Sequence, residues 1–194
     1  MEKEIENILK ESCEIKIKSI KETKRIAEAA KLIIEAYKKG KKVMICGNGG
    51  SAADSQHFAA ELIQKISLKR KALPCIALTT DSSVLTAISN DDSFEDVFSR
   101  QVEALAKEGD IVIGISTSGD SKNVIKAVKK AKELKSKTIG LTGEEGRLKG
   151  EVDLAITVPS KNTARIQEAH ITILHIIGQL VETEFYNNEK SNLF

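Results

Sequence analysis

Histidines and a glutamate in two apolar segments are the residues of this chain best suited to acid–base or metal chemistry. His57 and Glu61 stand four residues apart in the stretch SAADSQHFAAEL. On a helix each residue turns by about 100°, so these two side chains would lie about 40° apart on one face. They could then contact the same proton or the same divalent ion.

The last long apolar segment carries a second set of such side chains. Gln167 and His175 are eight residues apart, which on a helix is about 80° of rotation and two turns. His170 would lie about 140° from His175, so we expect it to be a core residue that hydrogen-bonds its neighbours. Together with His57 and Glu61, Gln167 and His175 offer nitrogen and oxygen ligands that suit zinc or a similar ion. The spacing alone leaves open that these histidines too are core residues.

A loop rich in hydroxyl groups, STSGDS at residues 116–121, precedes the helical pattern NVIKAVKKAKEL. Hydroxyls and backbone N–H groups at a helix N-terminus form a site for a phosphate monoester. Helix capping by Ser118, Asp120 or Ser121 is the simpler explanation. Capping does not require four hydroxyls in six positions, so the loop favours phosphate binding.

A glycine-rich loop, GNGGSA at residues 47–52, follows an apolar run. It formally matches a dinucleotide-binding pattern, but that fold needs an acidic residue about 20 positions further on. The candidate acid, Asp81, comes about 30 residues later, and no Walker sequence is present. The glycines are typical of a tight strand-to-helix turn, while Asn48 and Ser51 offer polar groups where a ligand would sit.

These residues are positioned by an alternating pattern of strands and helices. The predicted strands cover residues 43–47, 75–80, 110–117, 138–142 and 153–158. The predicted helices cover residues 51–66, 82–106 (broken near 90–93), 121–135 and 163–187. Continuous apolar strands that alternate with helices predict an α/β fold with a doubly wound, five-stranded parallel sheet. Ligands bind beyond the carboxyl ends of such strands, which is where both loops lie.

The first 39 residues form a different kind of segment. Residues 4–39 have apolar positions at helical spacing among many charges, which predicts one long helix or two in series. Such a stripe needs a partner, either the domain body or another subunit. We therefore divide the chain into a helical arm (1–39), an α/β domain (40–188) and a polar tail (189–194).

Composition excludes several classes of function. The 194 residues carry a net charge of +2 and are 41% hydrophobic, so no general attraction to nucleic acid or to an anionic membrane is expected. There is no apolar run of about 20 residues for a membrane span, and no secretory signal. Three distant cysteines indicate reduced thiols and a cytoplasmic protein.

Five motifs, in order along nearly the whole chain, resemble the phosphoheptose isomerases, which are single sugar-isomerase (SIS) domains. The motifs are GNGGSAADSQHFAAEL, ALTTDSSVLTAISND, FSRQV, GISTSGDSKNVIKAV and VPSKNTARIQEAHITILHIIGQLVE. The resemblance implies a flavodoxin-like five-stranded sandwich with an N-terminal helical arm, assembled as a homotetramer with active sites near subunit interfaces. It also implies conversion of sedoheptulose 7-phosphate to D-glycero-D-manno-heptose 7-phosphate through an enediol(ate), the first step of ADP- or GDP-heptose biosynthesis.

The resemblance also implies a role for individual residues. Glu61 and His175 look like the acid–base pair, with Glu61 the expected carbon base, although which of them takes the proton stays open. The implied ligands of one zinc ion per subunit are His57, Glu61, Gln167 and His175. The implied substrate-binding residues are Asn48, Gly49, Gly50, Ser51, Asn90, Asp91, Ser116, Thr117, Ser118, Ser121 and Gln167.

Two positions depart from the family pattern, which has Asn where Asp120 stands and Gly where Ser89 stands. A negative charge beside a phosphate would weaken binding, so we expect Asp120 to point to solvent or to cap the helix. The alternative function is a non-catalytic SIS regulator that binds a replication initiator protein or senses a sugar phosphate. The presence of His175 favours the enzyme, and the roughly 40 residues before the first strand are too few for a DNA-binding domain.

Overall fold

The computed structural model describes the backbone of residues 1–191 and the side chains of residues 1–187. One parallel sheet has the strand order β2-β1-β3-β4-β5. Its strands are β1 (Val43–Gly47), β2 (Cys75–Ala77), β3 (Ile111–Ser116), β4 (Lys137–Thr142) and β5 (Leu154–Thr157). This order is that of a flavodoxin-like doubly wound sheet, so the predicted fold class is confirmed.

Helices cover both faces of the sheet. They are α1 (Glu2–Lys18), α2 (Thr23–Lys38), α3 (Gly50–Ile63), α4 (Ser82–Asp91), α5 (Ser99–Leu105), α6 (Lys122–Glu133), α7 (Leu148–Glu151) and α8 (Thr163–Ser191). The four-residue α7 is too short to leave a periodic pattern in the sequence. α8 runs four residues past its expected end because no glycine or proline interrupts it there; of the predicted tail, residues 192–194 lie outside the described residues.

The core forms two apolar layers, one on each face of the sheet. Val43 and Ile45 of β1 point to the layer made with α2, α3 and α8. Met44 and Cys46, which alternate with them, point to the layer made with α5, α6 and α7. Every residue of β1 and β3 is buried, as expected for central strands that are covered on both faces.

The sheet brings the two polar loops together. β1 and β3 are neighbours, from Val43 beside Ile111 to Gly47 beside Ile115, and the chain leaves them toward opposite edges of the sheet. In such sheets ligands bind at this switch point. The loop after β1 and the start of α6 are joined by a reciprocal amide pair, in which Asn48 and Asn123 each donate to the other over 2.9 Å.

The arm consists of two helices in series, joined by a short 3₁₀ turn. The apolar stripe of α2 is buried against the domain body, whereas Ile15 is the buried residue of α1. Arg165 of α8 holds α1 through the carbonyl of Ile8 at 3.3 Å. Large apolar side chains of the first 20 residues stay exposed, namely Ile5, Ile8, Leu9, Ile17 and Ile20.

In the part of the chain that the structure describes, no helix is both long enough and apolar enough to cross a bilayer.

Candidate active site

Helices α3 and α8 pack side by side and carry the histidines and the glutamate. Gly178 of α8 lies against α3: a side-chain carbon at this position would be 2.6 Å from Cδ1 of Ile66 and 3.6 Å from Phe58. Gly178 thus leaves room for Ile66, in the segment that follows α3, while α8 packs on Phe58 of α3 in ordinary van der Waals contact. This contact places His175 of α8 opposite His57 and Glu61 of α3.

The three side chains converge on one point. Nε2 of His57 lies 3.1 Å from Oε1 of Glu61 and 3.2 Å from Nε2 of His175, which is itself 3.3 Å from Oε1 of Glu61. Glu61 is 14% exposed, whereas His57 and His175 are 52% and 40% exposed. The triangle of ligand atoms is therefore buried on its carboxylate side and open on its histidine side.

The spacing of this triangle suits a tetrahedral metal ion. Zinc bonds of about 2.0–2.2 Å to nitrogen and oxygen place neighbouring ligand atoms about 3.3–3.6 Å apart. The observed separations are 3.1–3.3 Å, and two imidazoles with one carboxylate are a common donor set of catalytic zinc sites. The residues present thus fit the ion, with a fourth position left for another ligand.

The two oxygens of Glu61 have different surroundings. Oε1 faces the histidines. Oε2 is buried near Gly178, at 3.8 Å from where a side-chain carbon there would lie, and has no hydrogen-bond partner among the described residues. The carboxylate therefore keeps one oxygen whose lone pairs are not shared.

Gln167 lies at the other end of the contact between α3 and α8. Its Nε2 would be 2.4 Å from a side-chain carbon at Gly50, so its amide packs on the first turn of α3. Along α8 it is two turns from His175. Of the four predicted metal ligands, the structure thus brings three together in one triangle and places the fourth on the side of the glycine-rich loop.

Asp54 is a residue of this site that the sequence analysis missed. It precedes His57 by three residues, and its Oδ2 is buried with no hydrogen-bond partner in the described part of the chain. Burial raises the pKa of Asp54, and the charges of His57 and His175 partly counter this rise. The spacing of three residues, which places side chains on one helix face, was the signal that could have revealed it.

The hydroxyl loop between β3 and α6 forms a compact cluster. Oγ of Ser116 is 2.9 Å from Oγ of Ser121 and 3.4 Å from Oγ of Ser118. Capping does not account for these residues: Ser121 makes no side-chain cap to α6, and Ser118 accepts from the Asp120 N–H inside the loop. Ser116 is buried, Thr117 is half-buried and Ser118 is exposed, so the cluster runs from the sheet to the surface.

Asp120 turns away from this cluster. Its Oδ1 accepts a hydrogen bond from Nε of Arg147 at 2.9 Å, and both side chains are exposed. The hydrogen bond from Arg147 holds the pKa of Asp120 below its usual range. We expected Asp120 either to point to solvent or to cap α6, and the structure shows its side chain at the solvent-exposed surface. Nothing in the structure explains Ser89, which is exposed.

Helix α4 and its N-cap hold three further residues from the sequence analysis. Asp81 accepts a hydrogen bond from the N–H of Val84 at 2.9 Å and caps α4. Helix capping therefore explains this carboxylate, and no role in binding the ribose of a dinucleotide is needed. Asn90 and Asp91 are exposed at the end of α4. In the described chain their side chains bond each other, at 2.8 Å.

His170 is fully buried in the core, as expected. Among the described residues neither ring nitrogen has a hydrogen-bond partner of ordinary geometry, and the polar contact that the ring does make is with the backbone of Thr142. Burial lowers the pKa of His170 to about 4, and the backbone of Thr142 opposes this shift only in part. His170 is therefore a neutral core residue and is not part of the site.

Comparison with known proteins places the chain among sugar isomerases. A family model described as the SIS domain matches residues 10–143. The phosphoheptose isomerase of Clostridium acetobutylicum is 52% identical over 189 residues, which cover 95% of this chain and 96% of that protein. A solved phosphoheptose isomerase from Francisella tularensis has a TM-score of 0.90 at 38% identity, covering 93% of this chain and 97% of its own. Another from Neisseria gonorrhoeae has a TM-score of 0.88 at 42% identity, covering 94% and 98%.

Proposed function

This chain belongs to the phosphoheptose isomerases of the SIS-domain family, and from that premise we propose which of its residues isomerise sedoheptulose 7-phosphate. The reaction is an aldose–ketose isomerisation that yields D-glycero-D-manno-heptose 7-phosphate. The observation that carries the proposal is the convergence of His57, Glu61 and His175 at 3.1–3.3 Å. A regulator that only binds a sugar phosphate has no need of this triangle.

The reaction requires a base, an acid and a group that stabilises negative charge. A proton leaves C1 of the ketose, an enediol(ate) forms, and a proton arrives at C2. Glu61 removes the carbon proton, since its carboxylate is mostly buried and its Oε1 faces the open, histidine side of the triangle. His175, whose Nε2 is 3.3 Å from Oε1 of Glu61, moves the second proton. His57 holds the imidazole of His175 in place at 3.2 Å.

The phosphate end of the substrate binds at the N-terminus of α6. The hydroxyl cluster and the backbone N–H groups at the very start of α6, before that of Val124, which donates to Asn123, donate to the phosphate oxygens. The residues proposed for this end are Ser116, Thr117, Ser118 and Ser121. No fixed cation is needed, because Asp120 pairs with Arg147 and adds no unpaired negative charge.

The sugar lies between the phosphate end and the acid–base pair. Asn48 is oriented by Asn123, and Gln167 lies against Gly50, so both amides border the glycine-rich loop. They orient the sugar hydroxyls together with the backbone of Gly49 and Gly50 and with Ser51. Asn90 and Asp91 bind by closing over the substrate from their exposed positions.

One zinc ion per subunit is part of this proposal. His57, Glu61 and His175 would hold it, and Gln167 completes the ligand set that the resemblance implies. When bound, the ion supplies a Lewis acid that polarises the substrate carbonyl oxygen.

The proposed assembly is a cytoplasmic homotetramer. The exposed apolar side chains of α1 support it, since contiguous apolar surface of this kind is typical of subunit contacts. Active sites near those contacts would follow from the position of α1 on α8, the helix that also carries His175.

An isomerase assay with matched variants tests the proposal. Purified protein is incubated with sedoheptulose 7-phosphate, and aldoheptose 7-phosphate is followed by NMR before chelation, after chelation and after zinc is restored. We expect product from wild type, none from His175→Ala, and wild-type turnover from Gln179→Ala, an exposed residue one turn further along α8. Full turnover by His175→Ala would overturn the assignment of the acid–base pair. Turnover that survives chelation would overturn the proposed role of zinc.

A further inference from the structure

A buried carboxylate ties α8 to the segment that follows α3. Glu182 is 1% exposed, and its oxygens accept from the backbone N–H groups of Ile66, Ser67 and Leu68 at 2.8–2.9 Å. Burial raises the pKa of Glu182, but these hydrogen bonds outweigh burial and the net shift is downward. The side chain is therefore a charged carboxylate held in a ring of backbone donors.

A buried arginine then ties the same segment to the last turn of α3. Arg70 donates from Nη1 to the carbonyl of Leu62 at 2.8 Å and from Nη2 to the carbonyl of Glu61 at 2.9 Å. The last four carbonyls of a helix have no partner inside the helix, and a cation at that end is favoured by the helix dipole. Nε of Arg70 lies 3.8 Å from Oε1 of Glu182, so the two charges form one buried pair.

The ion pair of Arg70 and Glu182 connects the two members of the proposed acid–base pair, because Arg70 contacts the main chain of Glu61 and Glu182 lies on the same helix as His175. Glu182 is seven residues after His175, and two helical turns return to within about 20° of the same face. Arg70 holds the main chain of the residue whose side chain is the proposed base. We propose that Arg70 and Glu182 are positioning residues of the isomerase, which fix the distance between Glu61 and His175; this inference rests on the proposed function of that pair.

Stability alone does not explain this arrangement. A buried ion pair is a weak source of stability, since apolar residues of similar volume often hold a fold as well or better. The planar guanidinium, by contrast, directs separate N–H groups at fixed angles. Directed bonds to two successive carbonyls set the position of a helix end more finely than apolar packing does.

The test substitutes each member and separates positioning from folding. Arg70→Lys keeps the positive charge but loses the planar guanidinium and its separately directed N–H groups. Glu182→Gln keeps the shape of the side chain but loses its negative charge. We expect at least a tenfold fall in kcat for both, with KM for sedoheptulose 7-phosphate within twofold of wild type because the phosphate loop is untouched. A crystal structure of Arg70→Lys is expected to show a longer separation between Oε1 of Glu61 and Nε2 of His175.

Asp110→Asn is the matched control. Asp110 is 2% exposed and accepts from the backbone N–H groups of Lys42 and Lys107 at 3.0 and 2.8 Å, beside the ammonium of Lys42. It is a buried carboxylate of the same kind, but it lies at the start of β3, at the opposite end of the sheet from the loops. We expect Asp110→Asn to lower stability while kcat stays within twofold of wild type.

The double variant Arg70→Met/Glu182→Leu covers the case in which the single variants do not fold. It replaces the pair by apolar side chains, and we expect a folded protein with kcat at least tenfold below wild type. Wild-type kcat in a folded Arg70→Lys or in the double variant overturns the inference, as does an equal loss in Asp110→Asn. If wild type itself makes no product, the proposed function fails. The inference is then judged on the crystal structure of Arg70→Lys, and a distance between Oε1 of Glu61 and Nε2 of His175 that equals the wild-type distance overturns it.

Discussion

Glu61 has the most demanding position of any single residue in this site. One oxygen faces two imidazoles within 3.3 Å, and the other is buried with no hydrogen-bond partner in the described chain. A buried acceptor without a donor costs stability, and such groups are retained mainly where function needs them. This residue therefore carries a folding cost that the catalytic role proposed for it would explain.

Replacing Glu61 by Gln tests that role. The amide has nearly the same shape but cannot accept a proton, so we expect kcat to fall by at least about 10³-fold, within the range of general-base contributions. The variant is assayed at saturating zinc, and its melting temperature is compared with that of wild type. A loss below tenfold in a folded, zinc-saturated variant would remove Glu61 from the role of base.

At the scale of elements, the contact between α3 and α8 decides the geometry of the site. Gly178 makes room for Ile66, in the segment that follows α3, and Gly50 makes room for the amide of Gln167. The two glycines lie at opposite ends of the contact between the helices. The lack of a side chain at each end thus leaves space for a group that borders the proposed site.

Gly50→Ala separates the role of Gln167 from the stability of α3. The backbone of Gly50 is not left-handed, and Ala favours a helix over Gly by up to about 1 kcal/mol, so stability should not fall. The new methyl group would occupy the place of the Gln167 amide, and we expect kcat/KM to fall at least tenfold. Unfolding free energy and kinetics are measured together.

Gly150→Ala is the control for this substitution. It adds the same methyl group in α7, where nothing lies within 4 Å, and it should leave the kinetics unchanged. Wild-type kinetics in Gly50→Ala would show that the amide of Gln167 does not need its present position.

The elements themselves were largely predictable, and their mutual contacts were not. Apolar runs predicted β1 at 43–47 as observed, since a strand buried on both faces has no polar alternation. Helical spacing predicted that His57 and Glu61 share a face. Helical spacing could not predict that His175, which is 118 residues from His57, faces these two side chains. Periodicity shows where a residue lies around its own helix axis, but it does not show which other helix packs against that face. The sequence carried no pattern that marks Arg70, since its hydrogen-bond acceptors are backbone carbonyls and Glu182 is more than 100 residues away.

On the scale of the whole molecule, the two layers of the domain differ in what they support. The layer with α2, α3 and α8 contains most of the core and includes the helices that carry the proposed acid–base pair. In the arm, α2 packs directly on this layer and α1 contacts α8. The apolar face of α1 is left uncovered by the domain body. In the proposed assembly, α8 thus carries His175 and also supports the helix proposed for subunit contacts, so we expect changes inside that layer to affect both.

His170 makes the stability of this layer depend on pH. Its pKa is about 4 in the folded protein against 6.5 when unfolded, so the unfolded chain binds the proton more tightly. Stability is complete above pH 6.5 and falls as the pH drops from 6.5 toward 4. At pH 5 the loss is about 2 kcal/mol, since each pKa unit is worth about 1.4 kcal/mol.

His170→Met tests this dependence with an apolar side chain that does not titrate. Urea unfolding of both proteins is measured at pH 7 and pH 5, at one fixed protein concentration because the proposed subunit association would add to the apparent stability. We expect wild type to lose about 2 kcal/mol more unfolding free energy than the variant between these two values, as the difference in proton binding requires. Equal losses would mean that His170 is already protonated, or solvated, in the folded core, and the acid sensitivity of the domain would then lie in its carboxylates.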